Sequence, residues 1–105
     1  METLKFQHQA AHRLSGTRRQ ALLGVVGSGN LEALFERTLD GAECRVEVLT
    51  SIAGFGEVWS AVIADFIERY SPGGLCISIH DAGARPDTVA LRLAQGARLM
   101  ERDDA

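Results

Sequence analysis

The stretch EVWSAVIADFIERYSPGGLCISIH, residues 57–80, joins a helical pattern directly to a strand pattern. Its first part spaces apolar side chains three and four positions apart, which predicts one buried helix face; these are Val58, Trp59, Val62, Ile63, Phe66, Ile67 and Tyr70. The SPGG segment ends the helix. Leu75, Ile77 and Ile79 then alternate with other residues, as in a strand with one buried face. A core helix followed by a strand is the centre of the predicted fold.

Similar patterns lie on either side of this stretch. CRVEVLTS, residues 44–51, alternates apolar and polar side chains and predicts a strand with one face in water. Pro86 suits the first turn of a helix, where its missing N–H costs nothing, and that helix extends to about Met100. Gly96 lies inside this helix, at a cost on the order of 1 kcal/mol relative to alanine.

The sequence pattern before residue 40 does not predict a single secondary structure throughout. ALLGVVGSG, residues 21–29, predicts a strand that ends in a glycine-rich turn. NLEALFERT, residues 30–38, fits a helical face as well as a strand, and periodicity leaves both open. The Ser28-Gly29-Asn30 sequence between them is favourable for a hairpin, because glycine and asparagine accept positive φ.

These elements predict an α+β fold. We expect a two-layer sandwich of a small antiparallel or mixed sheet with two helices on one face, in the order β-β-β-α-β-α. Residues 1–19 show no sustained period and are predicted to be a flexible N-terminal extension to a domain of residues 20–100. Residues 101–105 are predicted to be a frayed tail.

Composition excludes several function classes. The net charge is −3, so there is no basic surface for nucleic acid, and no apolar run approaches the roughly 20 residues of a membrane span. Without a secretory signal pattern, we expect a cytoplasmic protein. Lys5 is the sole lysine and lies near the terminus, which excludes a lysine-linked biotinyl or lipoyl carrier.

Cysteine and histidine patterns do not predict a metal or redox site. Cys44 and Cys76 are expected to be reduced and buried, with a disulfide as the alternative. His8 and His12 would share a helix face, but no third ligand lies nearby, so we predict no metal site.

Ser28 stands between Gly27 and Gly29 without the motifs of catalysis or nucleotide binding. The glycine spacing is the reverse of the dinucleotide fingerprint, and the serine lacks the spacing of a nucleophile elbow. His80 and Asp81 are sequential neighbours, a poor arrangement for base and orienting acid. A hydroxyl on an exposed turn without bulky neighbours is accessible to a modifying enzyme. The other interpretation is an ordinary hairpin tip.

A longer pattern resembles a known family. The segments ALLGVVGSGNLEALFE, VEVLTSIAGFGEVWSAVIADFIERY and ISIHDAGARPDTVALRLAQGARL resemble the δ, acyl-carrier, subunit of malonate decarboxylase, over roughly residues 20–100. The carrier subunit of citrate lyase is more distantly similar, through the Asp81-x-Gly83-Ala84 turn and the helix containing Arg92. In the malonate decarboxylase carriers the serine turn usually reads Gly-Ser-Gly-Asp-Leu-Glu, and Asn30 replaces that aspartate here.

The resemblance implies a non-catalytic carrier. Ser28 matches the serine that receives phosphoribosyl-dephospho-coenzyme A through a phosphodiester, from a triphosphoribosyl precursor and a dedicated transferase. The terminal thiol of that group would carry acetyl and malonyl thioesters between the acyl-transferase and decarboxylase subunits of a malonate decarboxylase.

The same resemblance favours a second hairpin strand over residues 30–38, with Ser28 at the turn. Asp81, Arg85 and Arg92 are the candidate contacts to the prosthetic group or to a partner, since arginine pairs well with phosphate. Asp81 is otherwise expected to cap or brace the turn before the last helix. The alternative function is an unmodified α+β adaptor in a multi-enzyme complex.

Overall fold

A five-stranded mixed sheet carries two helices on one face in the computed structural model, which describes residues 1–103. The strands lie side by side in the order β1-β4-β5-β3-β2, and β4 and β5 are the parallel pair. The predicted α+β two-layer sandwich is confirmed, with one strand added at its N-terminus. In chain order the elements are β1 (Glu2–Gln9), β2 (Gln20–Gly24), β3 (Leu31–Arg37), β4 (Glu43–Thr50), α1 (Gly56–Tyr70), β5 (Leu75–Asp81) and α2 (Pro86–Met100).

The core lies between the helices and one face of the sheet. Val48, Ile79 and Ala33 are neighbours across three strands and are at most 1% exposed. Ile63 of α1 and Leu93 of α2 belong to the same buried cluster. The side chains that alternate with this row, such as Glu47, lie on the opposite face, where they are partly or fully exposed. Period-two alternation therefore determines which face the helices cover.

The segment that periodicity left open is strand β3. It pairs antiparallel with β2 on one side and with β5 on the other. Leu31, Ala33 and Phe35 are all 0% exposed and face the helices, whereas Leu34 is half-buried on the other face. Pairing on both edges satisfies the backbone along the strand, which a helix at this position would not do.

The structure corrects the prediction of a flexible extension over residues 1–19. Strand β1 pairs with β4 along its whole length, and its Leu4 and Phe6 pack against the core. Two apolar residues in alternation are too few to distinguish a strand from an irregular segment by pattern alone. Beyond β1, Leu14 is 5% exposed and its N–H donates to the carbonyl of Gly73 at 2.9 Å.

Arg37 ties this N-terminal segment to the end of α2. Its Nε donates to the carbonyl of Arg18 at 3.0 Å and its Nη1 to that of Leu14 at 2.7 Å, and its Nη2 donates to the carbonyl of Met100. The carbonyl of Arg102 accepts from the Arg18 N–H at 3.1 Å. The predicted frayed tail, residues 101–105, is thus held by hydrogen bonds at its start. Residues 104 and 105 lie outside the described residues.

Candidate functional site

Ser28 lies on a four-residue turn in the loop between β2 and β3. The N–H of Asn30 donates to the carbonyl of Gly27 at 2.9 Å and closes the turn, with Ser28 in its second position. Gly29, in the third position, has a φ of +74°, the conformation that a type II turn requires there. Ser28 is exposed. The structure therefore presents its hydroxyl to solvent at the tip of the predicted hairpin.

The glycines around Ser28 differ in what they do. Gly24 has a φ of +77°, and a Cβ there would lie 2.1 Å from the carbonyl oxygen of Leu31, so the hairpin itself requires glycine. A Cβ on Gly27 or Gly29 would meet nothing within 4 Å. Gly27 also has no positive φ. The fold therefore does not require glycine at position 27, and the missing side chain leaves the Ser28 hydroxyl unshielded.

Backbone hydrogen bonds fix the turn to the segment that follows β5. The Gly29 N–H donates to the carbonyl of Ala82 at 2.9 Å, and the Ala82 N–H donates to the carbonyl of Asn30 at 2.9 Å. The side chain of Asn30 accepts from the N–H of Leu31 at 2.8 Å, which holds the residue at the start of β3. The position of Ser28 thus depends on the residues around Ala82.

Asp81 in turn holds those residues. Its Oδ2 accepts from the Thr50 hydroxyl at 2.8 Å and from the Gly83 N–H at 3.1 Å, and its Oδ1 accepts from the Ala84 N–H at 2.9 Å. Asp81 is 6% exposed, and Gly83 has a φ of +93°. A buried carboxylate with three donors is well satisfied. Asp81 is therefore a positioning residue for the serine turn.

Sequence reasoning missed the contribution of Thr50. In the alternation of β4 it occupies an inward position after Cys44, Val46 and Val48, and it is 0% exposed. A polar residue at an inward strand position requires a partner. That signal was present in the sequence, but it did not identify Asp81 as the partner.

The two candidate arginines lie in different environments. Arg92 extends from α2 to the base of the hairpin, with its Nε 3.7 Å from the Cβ position of Gly24. Its Nη1 donates to Gln95 at 3.1 Å, while its Nε is the one buried side-chain polar atom without a hydrogen-bond partner in residues 1–103. The side chain of Arg85 is 83% exposed, and its Nε lies 3.5 Å from a carboxylate oxygen of Asp87.

The two cysteines lie in different environments, and buried Cys44 lacks the properties of an acyl-accepting thiol. Cys44 is 0% exposed, and burial, with smaller effects of Cys76 and Glu43, raises its pKa to about 12. Cys76 is half-buried, on the opposite face of the sheet from Cys44, and both are free. Because the two side chains project from opposite faces of the sheet, their Cα–Cβ bonds point away from each other, and a disulfide would require the backbone to move.

The described residues contain no catalytic arrangement around Ser28. Within residues 1–103 no side chain hydrogen-bonds to the Ser28 hydroxyl, and no group of three His, Cys, Asp or Glu residues could hold a metal ion. His80 is exposed, whereas its neighbour Asp81 is buried, so the two do not act as a pair. In the same part of the chain no helix is long and apolar enough to cross a membrane.

Fold and site together define a small α+β domain that displays an unshielded serine, with no base hydrogen-bonded to it in the described residues. The model of the family described as malonate decarboxylase delta subunit (MdcD) matches residues 18–100, and the chain belongs to this family. It is an acyl-carrier subunit, a carrier rather than a catalytic subunit. Carrier function implies a covalently attached prosthetic group.

Individual proteins agree with this family. The malonate decarboxylase acyl carrier protein of Bradyrhizobium diazoefficiens is 61% identical over 98 residues, covering 93% of each chain. That of Xanthomonas campestris pv. campestris is 43% identical over 105 residues, all of both chains. A chain in the crystal structure of a Pseudomonas malonate decarboxylase hetero-tetramer in complex with malonate superimposes with a TM-score of 0.83 at 39% identity. The match covers 95% of this chain and 99% of that one.

Proposed function

We propose that this chain carries acetyl and malonyl groups for a malonate decarboxylase complex, on phosphoribosyl-dephospho-coenzyme A attached to Ser28. The observation that carries the proposal is the turn itself. Ser28 is exposed between two glycines whose Cβ positions face open space, and Gly27 has no conformational reason to be glycine. An enzyme that closes over this hydroxyl would meet no side chain on either flank.

The residues at the base of the hairpin fit a phosphate-linked group. A phosphodiester on Ser28 adds negative charge to the hairpin, and beside Gly24 at its base Arg92 holds a guanidinium with one unpartnered, buried N–H. Arginine is the side chain best suited to phosphate oxygens, because its donors form a planar fork. We assign Arg92 to the phosphate nearest the hairpin, and Arg85, more exposed, to the outer part of the group or a partner. When bound, the group supplies a terminal thiol for acyl transfer.

The chain's own residues then act by position alone. Asp81 and Thr50 hold the segment around Ala82, and that segment holds the serine turn, so the attachment point is fixed relative to the sheet. The proton of the Ser28 hydroxyl must leave to a base on the transferase, since no such base lies beside it in residues 1–103. The acyl-transferase and decarboxylase subunits are the proposed partners, which the hetero-tetramer containing a similar chain supports.

The first experiment is the intact mass of the chain purified from host cells growing on malonate, followed by mapping of the peptide that contains Ser28. The expected result is the mass of the full prosthetic group on Ser28. Ser28→Ala should fold normally and abolish malonate decarboxylation, since an exposed turn serine contributes little to stability. Ser60→Ala, on the exposed face of α1, is the matched control and should retain activity. An unmodified Ser28, with active Ser28→Ala, would instead indicate the adaptor.

The role of Arg92 is tested on the same modification. Arg92→Gln should lower the initial rate at which the transferase loads Ser28 and should shift the ³¹P resonance of the phosphodiester in the loaded protein. Arg98→Gln, exposed on the same helix, should change neither. Unaltered ³¹P resonances in Arg92→Gln would remove Arg92 from the phosphate site.

A further inference from the structure

A cavity of about 390 Å³ opens between α1, the loop before it and the residues after β5. We call it the Trp59 cavity, after the tryptophan in its wall. Trp59 is 6% exposed, whereas three apolar residues near it are more accessible, namely Ile52 at 44%, Phe55 at 51% and Val58 at 40%. Large apolar side chains that remain accessible around a concave surface are typical of a site that another apolar group covers.

The cavity adjoins the serine turn. Asp81, Gly83 and Ala84 line it, and Ala82, between them, makes both hydrogen bonds that hold Gly29 and Asn30. Summing the spacing of consecutive Cα atoms and of hydrogen-bonded strands puts Ser28 at most roughly 13 Å from Gly83. The pantetheine segment of the proposed prosthetic group exceeds that distance when extended. An arm attached to Ser28 is therefore long enough to reach the cavity.

Since Arg85, the cation that lines the cavity, has an 83% exposed side chain and lies at the mouth, the interior of the wall selects an uncharged occupant. Its buried polar groups are already paired, because the Thr50 hydroxyl donates to Asp81 and Asp81 also accepts from two backbone N–H groups. No buried polar side-chain atom of the wall lacks a partner, within the residues that the structure describes. A second carboxylate would meet the negative charge of Asp81, and burying it without a partner is costly.

We infer that the Trp59 cavity binds the thiol end of the chain's own prosthetic arm, in the free-thiol and acetylated forms, and excludes the malonylated form. The inference rests on the proposed attachment to Ser28. Bound in this way, an acetyl thioester is held away from water while the arm is not engaged with a partner subunit. The carboxylate of a malonyl group keeps that form at the mouth, accessible to the subunit that consumes it.

The first test is the fluorescence of Trp59, the single tryptophan of the chain. Loading is established beforehand by intact mass, and Ser28→Ala provides the unloaded reference. The emission of the loaded, acetylated protein should differ from that of Ser28→Ala, and malonylation should reverse the difference. A protein that carries no group by mass would overturn the proposed function, and the inference with it. A loaded protein with unchanged emission would overturn the inference alone.

The second test is the reactivity of the arm's thiol in the loaded Cys76→Ser protein. Cys76 is removed because it is partly accessible, whereas buried Cys44 does not compete. The thiol should react with a disulfide reagent about tenfold more slowly than free coenzyme A, as expected when the sheltered state is occupied about nine-tenths of the time. Equal rates would overturn the inference.

Filling the cavity with a larger side chain tests whether protection of the thiol comes from binding in the cavity or from general crowding near the protein surface. Ala84→Leu adds bulk within the wall, and Ala61→Leu adds the same bulk on the exposed face of α1. In Ala84→Leu the thiol should react at the rate of free coenzyme A, with far-UV circular dichroism unchanged, while Ala61→Leu keeps the protection. Protection that survives in Ala84→Leu would show that the arm lies elsewhere, including against a copurified partner subunit.

Discussion

Gly96→Ala is expected to destabilise the fold although it replaces a glycine inside a helix. Propensity alone predicts a gain of about 1 kcal/mol. A Cβ on Gly96, however, would lie 2.1 Å from Cζ and 2.2 Å from Cε1 of Phe35, whose side chain is 0% exposed. Contact between carbon atoms is favourable only at about 3.5–4.0 Å, so the ring or the helix must move by more than about 1 Å.

The magnitude follows from these opposing effects. Overpacking of a core costs about 1–3 kcal/mol, and the severe overlap with Phe35 places this site at the upper end. After subtraction of the propensity gain, Gly96→Ala should lower the free energy of unfolding by about 2 kcal/mol. Because Arg92 lies one helical turn before Gly96, a displaced α2 should also move the guanidinium away from Gly24.

Urea unfolding followed by circular dichroism measures this effect, provided that the m value is unchanged. Ala90→Gly, on the exposed face of α2, is the control for propensity and should cost about 1 kcal/mol. Combining Gly96→Ala with Phe35→Leu should restore part of the loss, with a coupling energy of at least about 1 kcal/mol. A Gly96→Ala protein as stable as the parent would show that α2 does not pack on Phe35 as described.

Three further predictions concern the turn and the core thiol. Asp81→Asn should lower the free energy of unfolding by about 2–4 kcal/mol, because the amide N–H groups would face some of the three groups that now donate to the carboxylate. It should also slow the loading of Ser28. A urea midpoint and a loading rate equal to those of the parent would contradict this prediction. Gly27→Ala should change the free energy of unfolding by less than about 0.5 kcal/mol but slow the loading of Ser28. Gly29→Ala should lower the free energy of unfolding by about 1 kcal/mol, because Gly29 has a positive φ. Equal urea midpoints for the two variants would refute the difference. The raised pKa of Cys44 stabilises the fold fully below pH 9, and this contribution falls as pH rises toward about 12. The free energy of unfolding, measured in urea, should thus fall by about 1.4 kcal/mol more in the parent than in Cys44→Ala between pH 8 and 10. An equal fall in the two proteins would exclude the effect.

The sequence predicted those elements whose own pattern is strong. Both helices, β4 and β5 each carry three or more apolar residues at the correct period, so their burial can be predicted from the local sequence. Residues 30–38 matched two periods, and only pairing with β2 and β5 determines that they form a strand. β1 has just Leu4 and Phe6, and its edge position next to β4 is a long-range contact that no local pattern contains.

The site shows the same division. Gly27, Ser28 and Gly29 could be proposed as a site from three adjacent residues, because a glycine-flanked serine in a turn is a local feature. The support of that turn by Ala82 joins residues more than fifty positions apart, and the proximity of Arg92 to Gly24 also depends on tertiary packing. Glycines identical in the sequence proved different in their constraints, since Gly24 is required by backbone contact and Gly27 is not.

A carrier must hold its attachment point still and yet leave it open, and the turn of Ser28, the proposed attachment point, separates the two requirements. Rigidity comes from the backbone, through the bonds from Gly29 and Asn30 to Ala82 and from the Asp81 carboxylate beneath them. Openness comes from missing side chains at positions 27 and 29. Because the turn is held by groups other than the side chains of positions 27 and 29, the absence of those two side chains costs no anchoring. With the prosthetic group on Ser28, as proposed, mobility would reside entirely in the arm, and a serine on a fixed turn could serve several partner sites.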